Sequence, residues 1–433
     1  MLGNAWFFVT LVLLFIAAIL RQPPLLLVAV LLFLATGIAR LWAGYALHRL
    51  ECDRRLSTTR AFFGDTIDVE ISVSNRKLLP LPWVHIQDEV PEEVAFLKGT
   101  IQGSHIPTRA LLSNLVSLGW YRRRMRRFPA QCLRRGVFSF GPTTVHAGDL
   151  FGFFRKEMTV DRRDTLMVYP KVVPLEYLGI PSRDPFGDIA VRQHLFHDPI
   201  RTISIREYTP GDPLRHINWK ATARLRRLQS KVFERTTSVD LALFLDTRST
   251  PPPSWGIAEQ LLETAIIAAA SIADHALAND YRTGLYVNEP YRHSGSVMKL
   301  APTDHPQQMQ RVLEALAQVQ GMPLVSIDDL VSSEARGLSW PATIAVITAM
   351  PTAPLVASLQ RLRRAGRRVA LVLVGSQAAL HATPDGMPVY HVPDDVPWQD
   401  LDSLVIYPGA REGRSRAYAA TRHSVPDRQG AVQ

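Results

Sequence analysis

The sequence predicts a membrane-anchored multidomain chain, with an N-terminal transmembrane helical hairpin, an antiparallel β-sandwich-like module and a doubly wound α/β domain. Two long apolar runs open the chain, short segments of alternating polar and apolar residues follow, and continuous apolar strands then alternate with helical segments. We predict these boundaries: 1–48 for the hairpin, 49–174 for the β module, 175–237 for a polar segment and linker, 238–408 for the α/β domain and 409–433 for a disordered tail.

Composition narrows the class of protein only in part. The 433 residues are 47% hydrophobic, and 49 Lys/Arg against 39 Asp/Glu give a net charge of +10. This excess is compatible with nucleic acid, with an anionic membrane surface or with simple solubility. Cys52 and Cys132 are too few for a disulfide scaffold and fit a reducing compartment, although a single bridge between them is an alternative.

Two apolar runs, Ala5 to Leu20 and Leu25 to Ala39, predict two membrane-spanning helices. Counted from Leu2, the first run just reaches the roughly 17–20 residues that cross the hydrocarbon core. A signal peptide is disfavoured because the run has no basic region before it and no small-residue cleavage site after it. Two buried helices of a soluble core are disfavoured because neither run has a polar face.

Basic residues indicate the orientation of the hairpin. Only Arg21 lies in the short connection, whereas Arg40, Arg49, Arg54 and Arg55 follow the second run. The positive-inside rule therefore places both termini and the soluble domains in the cytoplasm.

Period-two alternation predicts the strands of the β module. The predicted strands lie at Thr66–Val73, Trp83–Ile86, Gly136–Pro142 and Thr165–Pro170. The stretch from Gly148 to Phe154 closes the module as an aromatic segment flanked by glycines, which we interpret as packing. Five arginines between Trp120 and Arg127 fit two interpretations equally: a solvated strand edge, or a contact with anionic lipid headgroups.

Nearly continuous apolar runs predict parallel strands buried on both faces of a sheet. These runs are Val239–Leu245, Thr343–Thr348 and Val369–Val374. The predicted helices are Gly256–Asn279, His305–Gln318 and Pro354–Ala365. Strands that alternate with helices indicate a doubly wound α/β domain, whose ligands bind beyond the carboxyl ends of the strands.

The segment from Arg206 to Glu234, between the two soluble domains, is unusually rich in cations. Between Arg201 and Asp240 there are nine Lys/Arg and four Asp/Glu. Pro210–Pro213 predicts a tight turn, and Lys220–Arg227 predicts a helix without glycine or proline.

Asp246, at the end of the first α/β strand, begins a stretch that resembles a known metal site. The D-x-S-x-S sequence of the metal-ion-dependent adhesion site in von Willebrand factor A domains holds Mg²⁺. Asp246 matches its aspartate and Thr250 can replace its second serine, but Arg248 stands in place of the first. The later aspartate of that family is also missing after Thr348. The resemblance implies a degenerate site, so we expect no cofactor, with Mg²⁺ on Asp246 and Thr250 as the alternative.

The polar segment resembles the signature of the bacterial domain-of-unknown-function 58 family, whose members are membrane-anchored and von Willebrand factor A-like. The motif residues are Arg206, Tyr208, Gly211, Asp212, Arg215, Trp219 and Arg224. The resemblance implies an inner-membrane protein that works alongside a MoxR-type AAA+ ATPase. A transglutaminase-like membrane protein is a further partner that it implies.

A search of the sequence for catalytic motifs agrees with a role in protein–protein interaction. The chain contains no Walker A run, no G-x-S-x-G and no H-E-x-x-H. We expect an adaptor or assembly factor that acts through protein–protein interaction and is not an enzyme. The alternative is a metal-assisted hydrolase using Asp246 and Thr250. We expect anionic lipid as a partner and no nucleic acid, since no nucleic-acid-binding motif accompanies the charge. The motif residues form either an interface or a staple between the domains.

Overall fold

The computed structural model describes residues 2–20, 22–177, 197–209, 217–235, 240–251, 256–292, 295–375 and 387–408. The chain divides into two compact units, Met1–Pro170 and Lys171–Gln433. The hairpin and the β module, which we predicted as separate domains, thus belong to one unit. The predicted tail, 409–433, and the predicted turn at 210–213 lie outside the described residues.

The first unit begins with two helices, α1 (Leu2–Leu20) and α2 (Pro23–Ala46). The hydroxyls of Thr10 and Thr36 join them by a hydrogen bond of 3.1 Å. By length and composition, two helices among the described residues could cross a membrane: α2, and the helix Glu259–Ala278, which is mostly buried in the second unit. The described apolar part of α1, Trp6–Leu20, is shorter.

Twelve strands in three sheets follow in the first unit. They are β1 (Leu50–Leu56), β2 (Arg60–Phe62), β3 (Thr66–Asn75), β4 (Leu81–Pro91), β5 (Val94–Phe96), β6 (Thr100–Gly103), β7 (Arg109–Leu118), β8 (Arg123–Cys132), β9 (Gly136–Phe140), β10 (Thr143–Gly148), β11 (Arg155–Val160) and β12 (Asp164–Tyr169). The sheet orders are β1-β3-β8-β5, β11-β10-β4-β7-β6 and β2-β12-β9. All pairs are antiparallel except β2 with β12, and the four predicted strands are confirmed as β3, β4, β9 and β12.

Arg54, which we counted among the basic residues that follow the second apolar run, is buried in the β module. Its side chain is 3% exposed, and its Nη1 lies 2.5 Å from Oδ1 of Asp88, which is 0% exposed. Nε contacts Asp164 at 3.0 Å, and Nη2 donates to the carbonyl oxygens of Phe140 at 2.9 Å and Arg162 at 2.8 Å. The guanidinium therefore ties together four strands and the turn before β12.

Gly141, beside this cluster, has no room for a side chain. A Cβ there would lie 2.3 Å from the carbonyl oxygen of Arg162 and 2.7 Å from Nη2 of Arg54, and its φ is +91°. Only glycine allows both the close approach and the backbone conformation.

The arginines of β8 are exposed, and over this part β8 pairs with β3. Cys52 and Cys132 are free thiols, so the structure contains no bridge between them. Burial raises the pKa of Cys52 to about 12 and that of Cys132 to about 11.

The second unit contains a small hairpin and a large α/β domain. Its strands are β13 (Leu175–Tyr177), β14 (His197–Glu207), β15 (Gln229–Arg235), β16 (Asp240–Leu245), β17 (Arg282–Pro290), β18 (Val297–Thr303), β19 (Thr343–Thr348), β20 (Arg368–Val374), β21 (Val389–Val392) and β22 (Leu404–Pro408). Its helices are α3 (Trp219–Leu225), α4 (Glu259–Ala278), α5 (Gln308–Gln318), α6 (Ile327–Glu334) and α7 (Ala353–Arg364), with a 3₁₀ turn at Trp398–Asp400.

One eight-stranded sheet organises the α/β domain, in the order β13-β22-β21-β20-β19-β16-β17-β18. Strands β17, β16, β19, β20 and β21 are parallel, whereas β18 is antiparallel to β17 and β22 to β21. Every residue of β16 and β19 is buried, as predicted for strands covered on both faces. Helix α4 packs on one face, while α6 and α7 pack with Ala242 and Phe244 on the other. The strand order reverses at β16, which makes its carboxyl end the expected ligand position.

Residues that we predicted as a linker form the two-stranded sheet of β14 and β15, with α3 between the strands. The side chain of Asn218 accepts a hydrogen bond from the Ala221 N–H at 3.2 Å and caps the start of α3. The helix ends at Leu225, before the predicted end at Arg227, because Arg226 adopts the left-handed conformation with φ 53°.

Candidate functional site at the carboxyl edge of the sheet

Asp246 follows β16 directly at the reversal of strand order, and its side chain is buried. Its Oδ1 accepts hydrogen bonds from Nδ2 of Asn288 at 2.8 Å and from the backbone N–H of Arg248 at 3.2 Å. Its Oδ2 accepts a hydrogen bond from the hydroxyl of Thr348 at 2.9 Å. The carboxyl group thus bonds to the two strands on either side of its own.

Asn288 extends this network within β17. Its Oδ1 accepts from both the backbone N–H of Thr247, at 2.9 Å, and the Thr247 hydroxyl, at 3.0 Å. On the other side, the Thr348 hydroxyl accepts from the Met350 N–H at 3.0 Å. Because all these side chains are buried, the network fixes the backbone where the three strands end.

The electrostatics of Asp246 are governed by burial. Desolvation raises the pKa of this carboxyl, while hydrogen bonds from the Arg248 N–H, Thr348 and Asn288 act in the opposite direction. Burial is the largest of these effects, so Asp246 keeps its proton to a higher pH than an exposed aspartate.

The hydroxyls that follow Asp246 bond to the start of the next helix. The Ser249 Oγ accepts from the Ala258 N–H at 2.9 Å, at the residue that precedes α4. The hydroxyl of Thr250, our predicted second metal ligand, donates to the Gly256 carbonyl oxygen at 2.6 Å. These two hydroxyls therefore connect the residues after Asp246 to the residues just before α4.

This donor set does not fit Mg²⁺. The ion requires six oxygen ligands in near-octahedral geometry, of which the protein supplies at least one or two carboxylates. Asp246 is the carboxylate in this network, and both of its oxygens already accept protein donors. Within the described part of the chain, no three His, Cys, Asp or Glu residues are grouped to hold a metal.

We expect Mg²⁺ or Mn²⁺ to leave the thermal melting temperature of the detergent-solubilised full chain unchanged. An ion that binds only the folded state would raise that temperature, and the rise would increase with the logarithm of the ion concentration above its Kd. Wild type and Asp246→Ala should be titrated in parallel. A rise that occurs in wild type and disappears in Asp246→Ala would show a working metal site.

The structure describes four of the seven predicted motif residues: Arg206, Tyr208, Trp219 and Arg224. Gly211, Asp212 and Arg215 lie outside the described residues, so whether the motif forms an interface or a staple stays a prediction. Arg206 Nη1 donates to the Thr209 hydroxyl at 2.7 Å, and the Tyr208 N–H donates to the Leu228 carbonyl at 2.9 Å. The second bond joins the end of β14 to the start of β15, whereas the first stays within the end of β14.

Helix α3 and the residues after it expose three apolar side chains, which we call the α3 patch: Trp219 and Leu225 in the helix and Leu228 after it. Trp219 is 68% exposed. The patch is surrounded in sequence by the exposed cations Lys220, Arg224, Arg226 and Arg227. A large exposed aromatic ring among cations is typical of an interaction surface.

Sequence reasoning missed Asn288 and the role of Thr348 in the network. Residues 285–289 read Leu-Tyr-Val-Asn-Glu, and we did not identify a strand there. A lone asparagine at the end of an apolar run was the available signal. That asparagine could have been assigned to the site only if the strand order had been known, because the order of the strands brings Asn288 beside Asp246.

The fold thus places this protein in the class of chains with an antiparallel β module followed by a doubly wound α/β domain. Residues 204–382 match the family described as "Protein of unknown function DUF58". This confirms the resemblance drawn from the motif. The "Uncharacterized protein YeaD" of Bacillus subtilis (strain 168) is 27% identical over 248 residues, which are 57% of this chain and 58% of the relative. The chain thus spans little more than half the length of that relative.

Solved structures show only distant likeness. The CARDB domain of the PF1109 protein from Pyrococcus furiosus is 13% identical, with 28% of this chain and 91% of that chain covered and a TM-score of 0.18. A cohesin module from a Clostridium perfringens family 33 glycoside hydrolase is 9% identical, with 28% and 96% covered and a TM-score of 0.21. Likenesses at this level carry no argument about function.

Proposed function

We propose that the protein is a membrane-anchored adaptor or assembly factor whose second unit binds a MoxR-type AAA+ ATPase through the α3 patch. The observation that carries this proposal is Trp219, a motif residue that is 68% exposed on a short helix between cations. Tryptophan and arginine are the residues most enriched among those that dominate binding energy at protein interfaces.

The membrane anchor is supported by the surface of the helical hairpin. Helices α1 and α2 expose large apolar side chains along most of their length. A soluble protein rarely exposes so large an apolar surface, whereas a bilayer would cover it. With the arginines that follow α2, this arrangement supports an inner-membrane protein with two transmembrane helices and cytoplasmic soluble domains.

We assign the α/β domain as von Willebrand factor A-like. Its six strands from β16 to β21 lie in the order β18-β17-β16-β19-β20-β21, the 3-2-1-4-5-6 order of a doubly wound sheet, with β18 antiparallel. Asp246 ends the first of these strands, as the resemblance implies. Its bonds to Asn288 and Thr348 support a structural role for the former metal position in this protein.

The chemistry at Asp246 favours binding over catalysis. Its oxygens are occupied by neighbouring strands, and the donor set does not fit the ion that a metal-assisted hydrolase would need. Further partners in this proposal are a transglutaminase-like membrane protein and anionic lipid, for which the exposed arginines of β8 supply positive charge.

Replacing Trp219 with alanine is expected to weaken binding of a purified MoxR-type ATPase by about 30-fold or more, since a central interface residue contributes about 2 kcal/mol or more. The full chain in detergent should be titrated with the ATPase. Trp340→Ala is the matched control, because Trp340 is 60% exposed and lies elsewhere on the same unit.

The melting temperature of each variant separates an interface from a staple between the domains. If Trp219 only holds the domains together, Trp219→Ala will lower the melting temperature and bind the ATPase as wild type does. Equal affinity of wild type, Trp219→Ala and Trp340→Ala would contradict the proposed interface.

A further inference from the structure

Three chain reversals lie at the end of the β module where α2 enters it. Helix α2 ends at Ala46 and β1 starts at Leu50, which pairs with Asn75 at the end of β3. The pairing registers then bring the reversals at 76–80, 119–122 and 149–154 to this same end. Lys77, in the first reversal, donates to the carbonyl oxygens of Ala46 and His48 and so closes the end of α2.

The third reversal, Asp149–Phe154, has a rigid internal scaffold. The Asp149 carboxylate is fully buried, and it accepts hydrogen bonds from the N–H groups of Phe154 at 2.6 Å, Phe151 at 2.9 Å and Phe153 at 3.3 Å. Its carbonyl oxygen accepts from the Trp83 indole at 2.9 Å. A Cβ on Gly148 would lie 2.2 Å from the Phe154 carbonyl oxygen, so the chain passes too closely for any side chain.

This scaffold turns apolar side chains outward. Leu150 is 65% exposed, Phe151 61% and Phe153 36%. Internal hydrogen bonds of the loop hold these three apolar side chains in an exposed position. Their exposed surface contributes no hydrophobic stabilisation to the fold. An apolar medium that covers these side chains would supply that stabilisation.

The position of the loop along the hairpin identifies that medium. Phe154 packs on Ala39 and Ala43 of α2, and the rings of Phe153 and Trp6 lie 5.7 Å apart. At about 1.5 Å per residue, Ala39 lies about 24 Å and Ala43 about 30 Å along α2 from Pro23. The hydrocarbon core of a bilayer is about 30 Å thick, so the loop lies where α2 would leave it.

We propose that Leu150, Phe151 and Phe153 insert into the headgroup boundary of the cytoplasmic leaflet and hold the β module against the bilayer. The inference rests on the proposed membrane-spanning hairpin. Arg155 and Lys156, exposed directly after the loop, add positive charge beside it, which anionic lipid attracts. Trp120 and Tyr121, exposed in the neighbouring reversal, belong to the residue types that concentrate at this depth of a membrane.

The test uses the full chain in lipid nanodiscs, with an environment-sensitive fluorophore on a cysteine introduced as Phe151→Cys. Quenching is measured with lipids that carry a nitroxide near the headgroup end of the acyl chain. Ile106→Cys is the matched control, because Ile106 is an exposed apolar residue at the opposite end of the same module. The unmodified chain gives the background, which should be low because burial raises the pKa of both native thiols.

We expect the label at Phe151 to be quenched at least about 3-fold more strongly than the label at Ile106, because contact quenching reports membrane depth. Leu150→Cys, labelled in the same way, should behave as Phe151→Cys does. Equal quenching at Phe151 and Ile106 overturns the proposal. A blue-shifted label at Phe151 without lipid quenching also overturns it, since protein would then cover the loop.

A label at Val28→Cys, within α2, distinguishes this result from failure of the hairpin. Val28 lies about 8 Å along α2 from Pro23, so quenching of that label by a nitroxide midway along the acyl chain shows that the hairpin lies in the hydrocarbon core. If Val28 is quenched and Phe151 is not, the hairpin stands and the loop proposal falls. If neither is quenched, both proposals fall.

Discussion

Arg54→Ala is expected to destabilise the β module by about 3–5 kcal/mol, the cost of removing one partner from a buried ion pair. The substitution leaves Asp88 buried without its cation and removes the donors to the Phe140 and Arg162 carbonyl oxygens. Burial already raises the pKa of Asp88 against the effect of Arg54, so without Arg54 this carboxyl will take up a proton more readily. The loss of stability should therefore be smaller at acidic pH.

The measurement is denaturant unfolding of the full chain in detergent, with Arg55→Ala as the matched control. Arg55 is the next residue of the same strand and is exposed, so its substitution should change stability by less than about 0.5 kcal/mol. Asp88→Asn in the Arg54→Ala background should recover part of the loss, because an amide needs no cation. Equal stability of Arg54→Ala and Arg55→Ala would show that the buried cluster contributes nothing.

The comparison of Arg54 with Arg55 shows what the sequence could and could not reveal. Both arginines look alike in a count of charges after α2. Alternation along β1 places Arg54 on the inward face with Leu50 and Cys52, which was a usable signal. Its partners Asp88 and Asp164 lie on other strands, however, and only the register of the sheets brings them together.

Helices and strands could be predicted where the spacing of their apolar residues shows which of their faces are buried. Strand β19 matches the predicted Thr343–Thr348, and β16, β20 and α7 agree within a residue or two at each end. Strands β14 and β15 were missed because they form a two-stranded sheet with much polar sequence, in which each strand depends on pairing with the other. Asp246 could be placed at a strand end from sequence, but its donors Asn288 and Thr348 come from neighbouring strands.

Asp246→Ala is expected to destabilise the second unit by about 2–5 kcal/mol. The substitution leaves the Asn288 amide, the Thr348 hydroxyl and the Arg248 N–H without their acceptor. Each buried donor without a partner costs about 1–3 kcal/mol of stability. Local rearrangement, or water that enters the site, offsets part of the total for the three donors. Thermal melting of the full chain should show a decrease of several degrees or more.

Asp246→Asn, in contrast, should be within about 1 kcal/mol of wild type near neutral pH, because its amide carries no charge to desolvate. The amide oxygen can still accept from Asn288 and the Arg248 N–H, and the amide nitrogen can donate to the Thr348 hydroxyl. The exposed Asp304→Asn is the control for loss of an acidic charge. Similar large losses in Asp246→Asn and Asp246→Ala would contradict this interpretation and indicate that the negative charge itself is needed.

The pH dependence of stability shows whether the Asp246 carboxyl has a structural role or binds a metal ion. Burial raises the pKa of Asp246, so the folded state holds this proton at pH values where the unfolded aspartate, with a pKa of about 3.9, has lost it. Wild type should therefore lose stability relative to Asp246→Asn as the pH rises from about 4 through the folded pKa. A carboxylate that binds Mg²⁺ gives the opposite sign in the presence of the ion, because the ionised form then gains a ligand that the amide cannot replace. Melting curves of the two variants across this pH range, with and without Mg²⁺, measure that sign directly.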